Sequence, residues 1–363
     1  MFEIRTITLH FLNTNLVMLV EDEVHIDRVI DFFSTHFVIC ESKGDTSSCV
    51  ATIRIRKGQA DLANYAGHHD WEPLYIRKSA SPFFTIPAVR QHVGEKEHLF
   101  CKHTNTLLTL DASTKFIDVT SEDVTSEAFN LILIELIRDV VIKNEENEGT
   151  VILHASCAFR NGAAYLITGP KGSGKTTTIM ELVHRFGYQI MSGDKTFLFE
   201  KNGVLMASGW PDYPHIGIGT LTKYPEVINK VNMSINAEEI KDIWSPKHKV
   251  AVDPQLFREL MPSSEPGLQC PVAYIFYPTV SSSPDCFIEP LSDHQDRIGE
   301  NIETIPETSD SSWNHYIKVN HEKLQFSVKK ITEMLEQVQA LRIIGSGVLP
   351  EHESISLSLH SGG

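Results

Sequence analysis

The chain has 363 residues, of which 41% are hydrophobic and 22% are charged, so it can fold around a large core without disulfides or a structural metal. A net charge of −15 argues against general nucleic-acid binding and against binding to a membrane surface, because both need a basic surface. No apolar run is long enough to span a membrane, no signal peptide is recognisable and the 6 cysteines lack C-x-x-C spacing, so we expect a cytoplasmic protein of two domains.

Residues 1–122 carry the patterns of a mixed α+β domain that is mostly β. Alternating and apolar runs predict strands in residues 1–20, and apolar residues at helical spacing predict a helix over 24–37. A clean alternation over 50–56 predicts a half-buried strand, and several β-like runs follow between residues 73 and 120. No motif in this domain indicates a chemistry.

Residues 123–347 carry the patterns of an α/β domain, and 348–363 form a polar tail. Helix-capping residues at 121–127 precede an apolar helix over 129–142, which a charged loop at 143–149 is expected to end. Asn202 and Gly203 predict a hairpin turn. The other predicted strands cover 150–154, 163–168, 188–191, 196–200, 204–207 and 272–277, and helices are predicted to about residue 186 and over 323–344.

Residues 169–176 read GPKGSGKT, which matches the phosphate-binding P-loop pattern G-x-x-x-x-G-K-[ST]. A strand-like run precedes the motif and a helix-like run follows it, as the pattern requires. Backbone N–H groups and the helix N-terminus would then face phosphate oxygens, Lys175 would neutralise the β- and γ-phosphates, and Thr176 would ligate Mg²⁺. The residues predicted to contact the nucleotide are Gly169, Pro170, Lys171, Gly172, Ser173, Gly174, Lys175, Thr176 and Thr177.

Two further residues are candidates for chemistry beside the loop. Asp194 ends the first strand after the P-loop helix, where a carboxylate can hold Mg²⁺ or accept a proton from an attacking hydroxyl. We expect His154 to end the strand before the P-loop strand. Neighbouring strands of such sheets end near the phosphates. The alternatives are a turn aspartate and a partly buried structural histidine. We therefore name Asp194, His154 and Lys175 as candidate catalytic residues, and Thr176 and Asp194 as candidate Mg²⁺ ligands.

Other residues near the motif allow two interpretations each. Lys171 is either a phosphate contact or a solvated loop lysine, and Glu181 fits a structural role better than a catalytic one. Lys195 can pair with Asp194 or with substrate. Residues 210–215 are either a substrate-lining loop or a rigid turn bounded by prolines.

The order and spacing of LHAS at 153–156, LITGPKGSGKT at 166–176 and SGD at 192–194 resemble the HPr kinase family of P-loop kinases, which is related in fold to ATP-dependent phosphoenolpyruvate carboxykinase. The resemblance covers residues 150–210 well, extends weakly to about 345 and does not include 1–122. It implies an α/β fold with a P-loop kinase domain of the HPr kinase/phosphoenolpyruvate carboxykinase type, preceded by the smaller, mostly β domain.

The resemblance implies ATP- and Mg²⁺-dependent phosphoryl transfer to a hydroxyl, which is a serine of a small carrier protein in HPr kinases and a peptide serine or another hydroxyl in divergent relatives. It assigns Lys175 and Thr176 to the phosphates and Mg²⁺, and His154 to assistance at the γ-phosphate. The family carries two adjacent aspartates after the P-loop helix, whereas this chain has Gly193 followed by Asp194. Either Asp194 serves as both base and metal ligand, or His154 or Asp212 supplies the base.

Two functions from different classes fit these patterns. The first is an ATP-dependent kinase acting on a hydroxyl of a peptide, protein or small molecule, with residues 1–122 recognising the acceptor or mediating assembly. The second, motivated by Gly193, is an ATP-binding regulatory or assembly module with little or no turnover. A GTPase or ABC-type motor is disfavoured because neither N-K-x-D nor L-S-G-G-Q occurs. The expected partners are a nucleotide and the acceptor, without nucleic acid or membrane, and HPr kinases suggest a homo-oligomer.

Overall fold

The computed structural model describes residues 4–41, 48–59, 71–79, 84–230, 249–281, 285–292, 294–303 and 313–349. The chain divides into two units, each a mixture of helices and strands with a large sheet. Unit 1 comprises Met1–Gly149 and Ile305–Leu324, and unit 2 comprises Thr150–Thr304 and Gln325–Gly363. This division lies about one helix beyond the boundary expected at residue 122, and the tail from residue 350 onward lies outside the described residues.

In the described part of unit 1, nine strands form one sheet in the order β3-β1-β2-β4-β9-β8-β7-β6-β5. The β2–β4 and β4–β9 pairs are parallel, and the other pairs are antiparallel. The elements are β1 Ile4–Phe11, β2 Thr14–Glu21, α1 Asp27–Ser34, β3 Val38–Glu41, β4 Ala51–Lys57, β5 Glu72–Arg77, β6 Ile86–Val93, β7 Lys96–Cys101, β8 Thr106–Asp111, β9 Phe116–Ser121 and α2 Glu127–Glu148.

The alternation predicted for β4 separates its two faces. Ile53 and Ile55 are fully buried, whereas Arg54 and Arg56 lie on the other face and form ion pairs with Asp118 at 2.7 and 2.9 Å. A strand with one apolar face packs that face on the core and leaves the other to polar partners.

Helix α2 is longer than the sequence predicts. Ser126 caps its N-terminus by accepting a hydrogen bond from Phe129 N at 3.2 Å, and Gly149 ends it in the left-handed conformation. The predicted loop at 143–149 is wrong: its charged residues Lys143 and Glu145 are buried on the helix and have polar partners. Lys143 pairs with Asp139 at 2.8 Å, and Glu145 accepts hydrogen bonds from Asn13 and Thr14.

In unit 2, the described strands form one sheet along the path β11-β10-β13-β14-β17-β20-β18, with β12 and β19 beside β10 and a parallel β11–β17 pair. A short pair, β15 with β16, lies apart from it. The elements are β10 Val151–Arg160, β11 Ala163–Thr168, α3 Lys175–Phe186, β12 Gln189–Ser192, β13 Lys195–Lys201, β14 Val204–Gly209, β15 His215–Gly217, α4 Ile218–Leu221, α5 Pro225–Lys230, β16 Lys249–Ala251, α6 Pro254–Leu260, β17 Gln269–Val280, β18 Cys286–Pro290, α7 Gln295–Gly299, β19 Ile302–Glu303, α8 His321–Glu336 and β20 Gln339–Gly345.

Successive residues of β11 belong to different cores of unit 2. Ile167 packs in a cluster with the apolar face of α3, whereas Leu166 packs in a second cluster with Ile331 and Leu335 of α8. Since side chains of a strand alternate between faces, α3 and α8 cover opposite faces of β11. The loop that joins β11 to α3 is thereby fixed between a buried strand and a buried helix.

Two local predictions have different outcomes in unit 2. The hairpin turn is confirmed: Asn202 and Gly203 have φ of 54° and 79° between antiparallel β13 and β14. The closing helix predicted over 323–344 is wrong beyond Glu336, because residues 339–345 form β20 between β17 and β18. Leu341 and Ile343 are almost fully buried there, which explains the apolar run that resembled a helix end.

Candidate functional site

The residues 169–174 form the glycine-rich loop, which leads from the end of β11 to the start of α3 where the motif predicts it. Gly169, Gly172 and Gly174 have φ of 145°, 89° and 106°, which side chains rarely tolerate. A Cβ on Gly174 would lie 2.2 Å from Val280 Cγ2 of β17. Val280 N also donates to Ser173 O at 2.8 Å. The loop therefore packs closely on the end of β17, and only glycine fits at position 174.

The Lys175 side chain folds back over the glycine-rich loop. Its ammonium donates a hydrogen bond to Gly169 O at 2.7 Å. Burial lowers the pKa of Lys175, and Lys249 acts in the same direction, whereas the charges of Asp194 and Glu303 raise it. The ammonium thus lies at the loop and within the field of two carboxylates. A bound phosphate would replace the carbonyl as its partner.

His154 lies between two carboxylates. Its Nε2 is 3.1 Å from Asp194 Oδ1 and its Nδ1 is 3.2 Å from Glu303 Oε1. Lys195 also pairs with Glu303, so four side chains form one ionic network, here called the His154 cluster: His154, Asp194, Lys195 and Glu303. The imidazole is 36% exposed, so the network is open to a ligand on one side.

Strand pairing places the members of the cluster. His154 is directly opposite Lys195 in the β10–β13 pair. Glu303 of β19 is opposite Ile152 of β10, so it lies diagonal to His154 on the same face of the sheet. His154 N donates to Asn301 O at 2.7 Å, which fixes the start of β19. The imidazole therefore lies between strands on both edges of β10.

Two buried hydroxyls hold the backbone near the cluster. Ser156 donates to Gly193 O at 2.6 Å, which fixes the turn before Asp194. Thr168, at the end of β11, donates to His154 O at 3.1 Å. Ser156 thus supports the turn that carries Asp194.

The network sets the charge of its members. The hydrogen bonds that His154 donates to Asp194 and Glu303 raise its pKa to about 9, against the opposing effect of its burial. Burial would raise the pKa of Asp194, but the hydrogen bond and charge of His154, with Lys195 and Lys175, lower it to about 2. The pKa of Glu303 is lowered for similar reasons, again against burial. At neutral pH the cluster is an imidazolium held by two carboxylates.

The structure brings some predicted residues together and gives another a partner within the protein. His154 and Asp194 are in contact, and Lys175 lies in the field of Asp194. Thr177, predicted as a nucleotide contact, forms a hydrogen bond with Thr220 at 2.8 Å. Pro170, Lys171 and Gly172 are exposed.

Two further candidates from the sequence have local partners. Glu181 is buried and accepts hydrogen bonds from Arg185, Tyr224 OH and Leu349 N, which fits its structural interpretation. Asp212, an alternative base, accepts a hydrogen bond from Tyr213 N at 2.9 Å.

Sequence reasoning missed Glu303. The residue stands in a two-residue strand with no motif around it, and its position depends on pairing with β10, far away in the chain. Its acidic side chain alone does not single it out, because Glu303 is one of many acidic residues in the chain.

In the described part of the chain, no helix combines the length and the apolar composition that crossing a membrane requires.

The comparisons with known proteins give little beyond this geometry. No protein-family model matches the chain, and no curated protein matches it. Among solved structures, the HPr(Ser) kinase/phosphatase from Coxiella burnetii is similar at 13% sequence identity and a TM-score of 0.25, over 57% of this chain and 86% of that chain. A likeness at this level carries no argument, so the function proposed below rests on the residues of the site.

Proposed function

We propose that the protein is an ATP- and Mg²⁺-dependent kinase that transfers the γ-phosphoryl group to a hydroxyl of a peptide, a protein or a small molecule. One observation carries the proposal: the ammonium of Lys175 lies at the glycine-rich loop and in the field of Asp194 and Glu303. A phosphate cradle and a pair of ionised carboxylates beside it are the parts that phosphoryl transfer needs.

The glycine-rich loop would hold the phosphates of a triphosphate. Its glycines have positive φ, and α3 begins at Lys175 with its N-terminus toward the loop, where it favours an anion. The Ser173 hydroxyl is buried and has no hydrogen-bond partner within the described residues, so it would be available as a further donor to a bound phosphate. Lys175 would hold the β- and γ-phosphates, and Thr176 and Asp194 would hold Mg²⁺, which supplies charge neutralisation when bound.

The charges of the His154 cluster assign its roles. An imidazolium cannot accept a proton, so in our proposal His154 is not the base and its positive charge favours the phosphoryl group. Asp194 is ionised and only weakly basic. These properties suit a metal ligand, or a group that orients the hydroxyl by accepting its hydrogen bond, better than they suit a strong base. Catalysis would then come from positioning and charge neutralisation.

Glu303 offers a second carboxylate from a distant part of the chain. It approaches His154 from the side opposite Asp194. Gly193, which replaces the first aspartate of the resembled family, has no atom within 4 Å of the position of a Cβ. Packing therefore does not require glycine at 193, and we propose that Glu303 provides the additional negative charge at the site.

The test is transfer of label from γ-labelled ATP with Mg²⁺ in the presence of peptide and metabolite extracts, read by mass spectrometry. We expect an acceptor heavier by one phosphoryl group with the wild-type protein and with Lys201→Ala, an exposed lysine on β13. Lys175→Ala should give none. Label transfer that persists in Lys175→Ala would contradict the proposal.

The second candidate is an ATP-binding module with little or no turnover. The observation that favours it is that the charged groups already have partners within the protein: Asp194 pairs with His154, and Lys175 donates to the loop itself. ATP binding that needs Lys175, without a labelled acceptor or released phosphate, would support this candidate over the kinase.

A further inference from the structure

Three side chains of unit 1 that the kinase proposal does not use lie within metal-binding distance of one another: His92 at the end of β6, Glu97 at the start of β7, and His315. Their donor atoms all lie within 4.8 Å of one another. Glu97 Oε1 is 3.2 Å from His315 Nδ1 and 3.9 Å from His92 Nε2. In a tetrahedral zinc site, neighbouring donor atoms are roughly 3.4 Å apart, so these distances bracket the required value.

The backbone fixes all three positions. His92 and Glu97 are directly opposite in the β6–β7 hairpin and so lie on the same face of the sheet. The segment containing His315 is anchored on both sides: Asn314 O accepts from Lys143 Nζ at 2.9 Å, and Tyr316 OH donates to Val50 O at 3.2 Å. The site would therefore need little rearrangement to bind an ion.

Glu97 is suited to be the central ligand. Its side chain is 6% exposed, and buried carboxylates are rare without a partner for their charge. Glu97 Oε2 accepts a hydrogen bond from the backbone N–H of His315 at 2.7 Å. Glu97 Oε1 faces the imidazoles of His92 and His315. A hydrogen bond to one oxygen orients the other, which is the usual arrangement around a ligating carboxylate.

We propose that His92, Glu97 and His315 bind a divalent transition metal ion such as Zn²⁺. Two imidazoles and one carboxylate are donors that zinc prefers, and hard ions such as Mg²⁺ favour oxygen ligands instead. His92 and His315 are 53% and 34% exposed, so water or another ligand reaches the fourth position.

Arg90 is the nearest competing charge. Its Nη1 is 3.8 Å from Glu97 Oε1, and its Nη2 is 3.1 Å from Glu72 Oε2. Pairing with Glu72 offsets the guanidinium charge, so Arg90 weakens the site without blocking it. Replacement of Arg90 by Gln should tighten metal binding, because a nearby positive charge would be removed.

The bound ion would connect distant parts of unit 1. Glu97 and His315 are 218 residues apart in sequence. A metal ion that binds these residues in the folded protein and not in the unfolded chain stabilises the folded unit. This inference is independent of the kinase proposal, since none of its residues belongs to the glycine-rich loop or to the His154 cluster.

The test uses untagged full-length protein, freed of metal with a chelator and dialysed. Zn²⁺ competition against a chromophoric chelator should show one site with submicromolar affinity, and Co²⁺ should give the visible absorption of a tetrahedral complex. His92→Ala and His315→Ala should each weaken binding by about 10- to 100-fold. His103→Ala, an exposed histidine near the other end of β7, is the matched control.

A thermal melt separates loss of the site from loss of the fold. Zn²⁺ should raise the melting temperature of wild type and His103→Ala, and should not raise that of His92→Ala, whose exposed side chain can be removed without a cavity. The proposal would be overturned by the absence of binding at micromolar Zn²⁺, or by wild-type affinity in His92→Ala and His315→Ala.

Discussion

The glycine-rich loop and the His154 cluster are built in opposite ways. The loop takes all its groups from one run of residues between β11 and α3, so its geometry follows from local conformation. The cluster takes His154 from β10, Asp194 from the β12–β13 turn, Lys195 from the start of β13, and Glu303 from β19. The comparison teaches that the conformation of a loop can be specified locally, while a cluster of ionisable side chains beside it depends on correct pairing of distant strands.

The largest effect is expected for Lys175→Ala in the loop. Removing the ammonium leaves the phosphate charge without its main protein counter-charge, and we expect transfer to fall by about 10³-fold or more. Initial rates with labelled ATP measure this, with Lys201→Ala as the control for a surface lysine. Near-normal rates would mean that the loop is not the phosphate site.

Asp194→Asn tests the cluster with an isosteric change. We expect ATP affinity to be retained and turnover to fall by about 100-fold or more, because the carboxylate that orients the metal and the hydroxyl is lost. Equilibrium binding of ATP and single-turnover kinetics separate these effects. Full activity in this variant would show that Asp194 has no part in the reaction.

Gly174→Ala tests the close packing of the loop. The added Cβ would lie 2.2 Å from Val280 Cγ2 at a φ of 106°, so the loop must shift. We expect a loss of stability of about 1–3 kcal/mol and weaker ATP binding. Gly187→Ala is the matched control, because Gly187 also has positive φ but has open space at its Cβ position. Equal effects on ATP affinity in both variants would contradict the packing argument.

Glu303→Gln tests a residue that acts on His154. We expect about a 10-fold lower turnover, and the pKa of His154 in the nucleotide-free protein should fall from about 9, because one of its two carboxylate partners becomes neutral. NMR titration of the imidazole measures the shift, and Glu300→Gln, at an exposed site nearby, is the control. An unchanged His154 titration would mean that Glu303 does not set the charge of the cluster.

Gly193→Asp should have the smallest effect. If Glu303 already supplies the second carboxylate, restoring an aspartate changes turnover by less than about threefold, or about 0.7 kcal/mol. The position has space for the side chain, so the fold should be unaffected, as circular dichroism would verify. A large gain in turnover would show instead that the missing carboxylate limits the protein.

The same contrast explains what the sequence could predict. The loop motif and its flanking strand and helix could be read directly, because a glycine at positive φ and a lysine at fixed spacing are local requirements. His154 and Asp194 could be named as candidates beside the loop. The expected place of His154 at the end of a strand is wrong, because residues 155–160 pair with β11, and β10 continues to Arg160. Glu303 could not be named, since only the register of β19 on β10 brings it to the imidazole.

Two errors in the fold have a related cause. The residues after 142 are charged and suggested a loop, but partners such as Asn13 and Thr14, far away in sequence, stabilise their helical form. The run at 340–344 continued an apolar pattern from α8, yet β17 and β18 on its two sides make it a strand. In both cases tertiary partners decided between conformations that local preference left open.

The division of unit 1 has a consequence for its synthesis on the ribosome. Lys143 of α2 donates to Asn314 O, its partner 171 residues later in the chain. At typical translation rates that partner emerges roughly 10–30 s after α2, when residues 150–304 have already been made. A truncated product ending at Gly149 would therefore leave Asp139 and Lys143 without Asn314, and we expect it to be degraded rather than to accumulate as a folded fragment.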